Sequence, residues 1–509
     1  YAMAIKLEKS TLSVNQIIAE KKENIAISGD CIVPDIKPDI LEIIGTNGIV
    51  NVYKREVMDG KVRIDGCVNI YIMYLGDDGN TRGVRSINHN LDFSQIFNID
   101  NANNSMIEEG EVTLNNIECK IINERKINLK ANLEFEMNIQ ANSEVQFVNN
   151  VDLKDLQKLE KTKQVNSVLG MGNTKTTVKE TVNIDNADNL AEILKVDAHI
   201  SNKNIKISYN KILIKADLKL KILYSTEDGR INTINAKFPI MGFIDMQDIT
   251  EDNIVDYEFE IKNMIIKPNS SAEHSIYVEI EVGISAIAYE NKEINIIEDL
   301  YSPGTDLKFD KSDIKMIQNK SNCKGTLSIN QKEPLDVGED KVLDVETRIN
   351  LDEIKVNNGE VILNGNTDLN FLHSPNGING LQMKKVNIPF EHRIQCNSIT
   401  KDSNVKVRPD ITTSDFTMLP GEVNIKLDID FYIDSSNNVT LNLINNVEEE
   451  NSNKKEDYNM VIYTTRKGDN LWNIAKTFKS TINNIIDTND IKDEKITPGM
   501  QLFIEKYMG

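Results

Sequence analysis

The sequence predicts a mainly β protein: three tandem antiparallel β-sandwich-like domains, then a small α+β module with the element order β-α-α-β. Three observations predict it. Apolar and polar residues alternate strictly in long segments, the strongest segment recurs twice at a fixed interval, and residues 460–509 switch to a helical period.

Leu129, Ala131, Leu133, Phe135, Met137, Ile139 and Ala141 alternate with polar residues. A period of two places one set of side chains on one face of a strand, whereas on a helix the same set would scatter around the axis. The pattern returns at Ile276, Val278, Ile280, Val282 and Ile284, and again at Val423, Ile425, Leu427, Ile429, Phe431 and Ile433. Each start lies 147 residues after the last. A second set of positions keeps step with it. Asp59-Gly60, Tyr209-Asn210 and Asn358-Gly359 each open an apolar alternating stretch, which ends in a turn closed by Gly79, Gly229 or Gly377. Gly and Asn tolerate the positive φ of a tight hairpin turn. A period near 150 residues is too long for a propeller blade or a solenoid repeat and denotes whole domains in tandem. One-sided alternation requires antiparallel sheets with one buried face, hence a sandwich or an open barrel. The units are expected at residues 1–160, 161–300 and 301–446.

The stretch Val33-Pro34-Asp35-Ile36-Lys37-Pro38-Asp39-Ile40-Leu41-Glu42-Ile43-Ile44 differs from its surroundings. Its two prolines fix extended backbone. A helical turn is expected from Pro38, a residue suited to a first helical position. Residues 186–194 and 335–343 are weaker counterparts. This stretch, the hairpin after it and the turn Tyr74-Leu75-Gly76-Asp77-Asp78-Gly79 resemble the SPOCS domain of bacterial spore-coat and sporulation proteins. The second and third units lack the Pro-Asp pairs, so for them the resemblance implies the fold without the same surface.

Residues 447–459 are rich in Glu, Asn and Lys and have no apolar period, so a flexible acidic linker is expected. In residues 460–509, Val461, Tyr463 and Thr465 alternate as a short strand. Gly468-Asp469-Asn470 breaks it and offers an N-cap. Leu471, Ile474, Ala475 and Phe478 then follow one helical face. Ser480 or Thr481 caps a second helix carrying Ile482, Ile485 and Ile486, and Pro498-Gly499 turns into a last strand with Leu502 and Ile504. The run GDNLWNIAKTF…N…TPGMQLFI resembles the LysM domain. That resemblance implies a shallow glycan-binding groove between residues 468–471 and 496–500. Three SPOCS-like units ahead of one LysM resemble the SipL-like spore-coat morphogenetic proteins of clostridia. The resemblance implies an adaptor in the mother-cell cytoplasm, recruited to the forespore surface and spore coat. Its LysM domain then binds a SpoIVA-like coat ATPase, and its repeats offer surfaces to other coat proteins.

Composition suits an ordinary soluble protein, with 39% hydrophobic and 27% charged residues. A formal net charge of −21 repels phosphate backbones, so no nucleic acid is expected as a partner. Residues 459–509 hold seven Lys/Arg and six Asp/Glu, a net of +1, leaving −22 on the rest. The five cysteines, Cys31, Cys67, Cys119, Cys323 and Cys396, are scattered and odd in number, so neither a disulfide framework nor a zinc site is expected, and the cytosol is the simplest compartment. No apolar run approaches the ~18 residues of a transmembrane helix. His89, His199, His274, His373 and His392 have no metal-ligand spacing, and Gly170-Met171-Gly172 lacks the Gly-Lys-Ser/Thr tail of a phosphate loop. No catalytic constellation, cofactor or metal is expected.

The candidate partner-binding residues are therefore Ile462, Asp469, Asn470, Leu471, Trp472, Pro498, Gly499 and Met500. Trp472 is the only Trp. It either packs on the small core or turns part of its ring to a partner, since aromatic residues dominate binding hot spots. Alternation puts Ile462 outward. With Trp472 and Met500 beside it, Ile462 forms an apolar patch that suits a protein better than a sugar. N-acetylglucosamine-containing glycan, such as peptidoglycan, is the alternative ligand.

Overall fold

A computed structural model describes residues 5–77, 79, 82–185, 188–270, 274–337, 341–374, 381–450, 459–492 and 495–506. The first unit contains β1 (Lys6–Ile32), β2 (Asp39–Met58), β3 (Lys61–Asp77), β4 (Arg82–Asn98), β5 (Ile107–Asn123) and β6 (Lys126–Asp152). They form two antiparallel sheets, ordered β1-β6-β5 and β2-β3-β4. The second unit repeats this with β7 (Gln157–Asn183), β8 (Leu190–Ser208), β9 (Lys211–Thr226), β10 (Ile231–Asp245), β11 (Ile254–Pro268) and β12 (Ser275–Tyr301). The third does so with β13 (Leu307–Pro334), β14 (Lys341–Asn357), β15 (Glu360–Ser374), β16 (Gln382–Gln395), β17 (Asn404–Leu419) and β18 (Glu422–Glu449).

The three alternating segments lie in β6, β12 and β18, the central strand of one sheet in each unit. Their apolar faces meet the other sheet. In the first unit Leu129, Leu133 and Phe135 of β6 share one core with Ile64, Ile70 and Ile72 of β3, all fully buried. Phe93 of β4 meets Phe135 edge-on at 5.6 Å. Burying each such side chain contributes about 1.5–3 kcal/mol. The hairpin turns fall where the repeat puts them: Gly60, Asn210 and Gly359 have φ of 72°, 57° and 81°. Gly79 and Gly229 close the next turn, each at φ 85°. The third closing turn, at residues 375–377, lies outside the described residues.

Four expectations need correction. No helical turn starts at Pro38, because β2 begins at Asp39. Arg125 supplies the reason. Its guanidinium donates to the carbonyls of Val33, Pro34 and Lys37 at 3.1, 2.9 and 2.9 Å, and to the Asp39 carboxylate at 2.9 Å. The Lys37 carbonyl, the one of the three that a helix from Pro38 would use, is thus engaged, and Ile40 N donates to Glu124 O at 2.9 Å, which commits the segment to extended pairing. The expected linker does not start at 447, since β18 continues to Glu449 with Val447 buried. Its residues 451–458 lie outside the described residues. The cysteines do include a bonded pair: Cys323 and Cys396 join β13 to the end of β16 and so tie the two sheets of the third unit. In addition, the expected divisions at 160/161 and 300/301 fall inside β7 and β12, and the strand ends place the connections at residues 153–156 and 302–306.

The outer halves of the longest ladders, β1/β6, β7/β12 and β13/β18, converge. Val14, Val165 and Met316 occupy equivalent places in the three units and meet in one buried cluster with Phe147, Ile296 and Leu443. A second cluster, of Met73, Leu194, Leu223, Leu343 and Leu372, again draws on all three units. Strands β1, β7 and β13 touch pairwise, so the units surround an approximate three-fold axis.

One polar node also joins all three units. Gln140 Nε2 and Tyr289 OH donate to the Glu109 carboxylate, and Lys320 pairs with Asp256 while lying 3.7 Å over the Tyr289 ring. Burial, reinforced by Asp256 and Glu258 and opposed by Lys320, pushes the Glu109 carboxyl up from 4.5 to about 7. The folded chain therefore holds this proton to a higher pH than the unfolded chain does. The contribution is favourable at low pH and is lost as pH rises from about 4.5 through 7, up to about 3 kcal/mol. Glu109→Gln is isosteric and neutral. It should match wild type near pH 5 and melt higher than wild type at pH 8. A constant difference in Tm across that range would refute the argument.

Candidate functional site

The C-terminal module contains β19 (Met460–Thr464), α1 (Leu471–Thr477), α2 (Ile482–Asn489) and β20 (Gln501–Glu505). β19 and β20 pair antiparallel, with Val461 opposite Ile504, Ile462 opposite Phe503 and Tyr463 opposite Leu502. Alternation turns Tyr463, Leu502 and Ile504 toward Leu471, Ile474 and Ala475 of α1 and Ile485 of α2. The helices start at side-chain caps: Asn470 Oδ1 accepts from Asn473 N at 2.8 Å, and Thr481 Oγ1 from Asn484 N at 3.1 Å. Each such cap contributes about 1 kcal/mol. Asn489, at the end of α2, both donates to Phe503 O and accepts from Phe503 N, at 2.7 Å each. It thereby fixes the helix to β20.

The two loops of the expected groove are joined through Thr465. Its N–H donates to Met500 O at 2.9 Å, its carbonyl accepts from Gly499 N at 2.8 Å, and its hydroxyl donates to Thr497 O at 2.5 Å. Gly468 and Gly499 take φ of 97° and 89°, a region that favours glycine. Asp469 accepts from Arg466 N and from the Tyr463 hydroxyl, at 2.7 Å each, which holds its carboxyl below the usual carboxylate range. Asp469 is thus engaged in shaping its loop. Asn470, Pro498 and Gly499 are exposed along these loops, Met500 is half-buried against the module core, and Leu471 is a core residue.

Trp472 packs on that core and also faces the second unit of its own chain. Its Nε1 donates to Asp299 Oδ2 at 2.7 Å, and its ring meets Tyr301 edge-on at 5.0 Å. Lys476 Nζ pairs with Asp299 Oδ1 at 2.6 Å, Tyr301 OH donates to Ser480 O at 3.0 Å, and Lys479 pairs with Asp306 at 2.9 Å. Tyr301 is itself part of the module's core cluster. The module is therefore docked on the end of β12. Asp299→Ala removes two charge-assisted hydrogen bonds, of a kind worth about 1.5–3 kcal/mol each. Because Trp472 is the only Trp, its fluorescence reports the docking directly. The expected result is a red-shifted emission and stronger acrylamide quenching, with the far-ultraviolet circular dichroism unchanged. Unchanged emission would show that the contact does not hold the module.

The apolar patch also differs from the expected one. Ile462 is 61% exposed and points outward as alternation requires. Its neighbours are Phe503, directly across the ladder and 45% exposed, and Met460, 55% exposed. Trp472 and Met500 pack against the core, so they do not share this face. Met460 and Phe503 had a sequence signal, since inward Leu502 and Ile504 leave Phe503 outward. Asp299 and Tyr301 had none, being about 170 residues from the helix they hold.

Among the described residues, no group of three His, Cys, Asp or Glu side chains is arranged to hold a metal ion, and no helix is long and apolar enough to cross a membrane. The SipL, SPOCS domain family matches residues 39–122, 189–269 and 340–419, and the LysM domain family matches residues 463–505. No curated protein and no solved structure matches the chain. Each SPOCS match runs from about the second strand of a unit to about the end of its fifth, so the long ladders that meet at the axis lie largely outside it. Both are non-catalytic domain families. The chain thus has the SipL-like architecture, three tandem SPOCS domains followed by one LysM domain.

Proposed function

We propose that the chain is a non-catalytic adaptor in spore-coat assembly, which binds a SpoIVA-like coat ATPase through its LysM domain at the forespore surface, on the mother-cell side. The domain content supports this reading, and one observation carries it. The outward face of the LysM sheet presents Met460, Ile462 and Phe503, three exposed side chains without a hydrogen-bonding group apart from a thioether. Such a face suits an apolar protein surface, since sugar hydroxyls need donors and acceptors. The SPOCS domains supply bulk and further surfaces, on which other coat proteins dock.

A second reading has its own support. Asn470, Pro498 and Gly499 stay exposed on the loops joined through Thr465, where a LysM groove holds N-acetylglucosamine-containing glycan. The deciding experiment titrates the purified full chain with the coat ATPase and, separately, with chitin oligomers and peptidoglycan. The adaptor reading expects saturable binding to the ATPase and none to the glycans. Glycan binding alone would replace it, and clearing of peptidoglycan in a zymogram would make the chain a hydrolase.

A further inference from the structure

The two-stranded sheet of the LysM domain has two edges, and the chain treats them differently. Lys506 N donates to Asn459 O at 3.0 Å and Thr465 N to Met500 O at 2.9 Å. In an antiparallel pair, residues bonded to the partner strand alternate with residues whose N–H and C=O point away from it. The ladder therefore uses Val461 and Tyr463 of β19 and turns the backbone groups of Met460, Ile462 and Thr464 to the open edge. On β20 the outward groups belong to Gln501, Phe503 and Glu505. Asn489 closes that edge at its centre, because the N–H and C=O of Phe503 both bond its side-chain amide at 2.7 Å. Nothing does this for β19: among the described residues, no group outside the ladder bonds the backbone of Met460, Ile462 or Thr464. The polar contacts that dock the module on the second unit come from Trp472, Lys476, Lys479 and Ser480, not from β19.

An open edge is a template for another strand, and folded proteins guard theirs with charge, proline or bulges. The SPOCS edges follow that rule: β10 carries Lys237 and Pro239, and β16 carries Lys384, Lys385 and Pro389. β19 reads Met460-Val461-Ile462-Tyr463-Thr464, with no charge, no proline and no bulge. Its edge also borders the exposed apolar row of Ile462 and Phe503. The outward donors and acceptors recur at every second residue, about 7 Å apart, which is the repeat of an extended polypeptide. A residue directly opposite Ile462 on an added strand would stand on the same face and continue that row.

We infer that β19 takes up an extended segment of the protein partner as a third strand. The segment pairs with the backbone of Met460, Ile462 and Thr464 and sets an apolar side chain beside Ile462. This rests on the adaptor reading and specifies how the partner is held. The test measures amide hydrogen–deuterium exchange, resolved to single residues, in the full chain with and without the purified coat ATPase. In the free chain the Ile462 and Thr464 amides should exchange fast, while Val461 and Tyr463 are protected. The ATPase should slow Ile462 and Thr464 about tenfold or more. Thr464→Pro removes one edge donor and leaves Ile462 in place. It should bind the ATPase about tenfold more weakly than Thr464→Val, which keeps the N–H. If Thr464→Pro misfolds, exchange on the wild-type chain decides. Absence of ATPase binding removes the adaptor reading and this inference with it. ATPase binding with Ile462 and Thr464 still exchanging fast, or a folded Thr464→Pro that binds like Thr464→Val, overturns the added strand alone. Slow exchange of those two amides in the free chain, with a dimer in sedimentation, puts a second copy on the edge and overturns it equally.

Discussion

Ile462→Arg should abolish binding to the coat ATPase and leave the LysM domain folded. The free protein tolerates the change because Ile462 is 61% exposed and packs on no buried residue of the module core. The proposed complex would not tolerate it, because an unpaired guanidinium buried against an apolar partner costs about 2–5 kcal/mol. That is roughly a 30-fold or larger loss of affinity. Phe503→Arg should do the same, since Phe503 stands directly opposite Ile462 on the same face. Trp472→Glu acts by another route. It replaces an N–H that donates to Asp299 with a carboxylate facing that same carboxylate, so it releases the module from β12 without touching the outward face. Comparing the three variants therefore separates the partner surface from the docking surface. Circular-dichroism melts beside each binding measurement show whether the module stays folded. If folded Ile462→Arg and Phe503→Arg bind the ATPase like wild type while Asn470→Ala loses chitin oligomers, the glycan reading holds instead.

Alternation exposed the central strands because they are buried on one full face: β6 and β18 carry a buried residue at nearly every second position over their core halves. Their neighbours were far less legible. β7 runs Lys175-Thr176-Thr177 through its middle and buries little, so its place in a sheet depends on pairing with β12 more than a hundred residues later. The same distance hid the control of the Pro34–Pro38 stretch. Local rules favour a helical turn after Pro38, whereas Arg125 and Glu124, some 85 to 90 residues away, take the Lys37 carbonyl and the Ile40 N–H. The Cys323–Cys396 bond spans 73 residues and left no spacing signal. In the LysM domain, periodicity located both helices and put Ile462 outward. Grouping Trp472 with it failed because a helix N-terminal residue was assigned to a sheet face it does not share, and because its acceptor, Asp299, belongs to another domain.

Adding one methyl group to β3 or β15 should cost a large share of the stability. A Cβ on Gly66 would lie 2.3 Å from the Asn51 carbonyl oxygen and 2.6 Å from Phe93 Cζ. On Gly365 it would lie 2.2 Å from the Asn350 carbonyl oxygen and 3.0 Å from Phe390 Cζ. The obstacle is backbone, which cannot rotate away as a side chain can. Both contacts sit beside a bulge in the neighbouring strand, with register shifts between Val52 and Lys54 and between Leu351 and Glu353. The second unit shows that the glycine answers to the bulge. Its equivalent residue is Ala216, and there β8 passes over two residues between Ser201 and Asn204, with Asn202 at φ 54°. That wider bulge accommodates a methyl group. Gly66→Ala and Gly365→Ala should each cost about 3 kcal/mol, the upper end of the overpacking range, whereas Ala216→Gly should cost only about 0.5–1 kcal/mol. Thermal unfolding of the full chain should rank the three accordingly. If Gly66→Ala melts like wild type and Ala216→Gly is the worse variant, the bulge does not control this position.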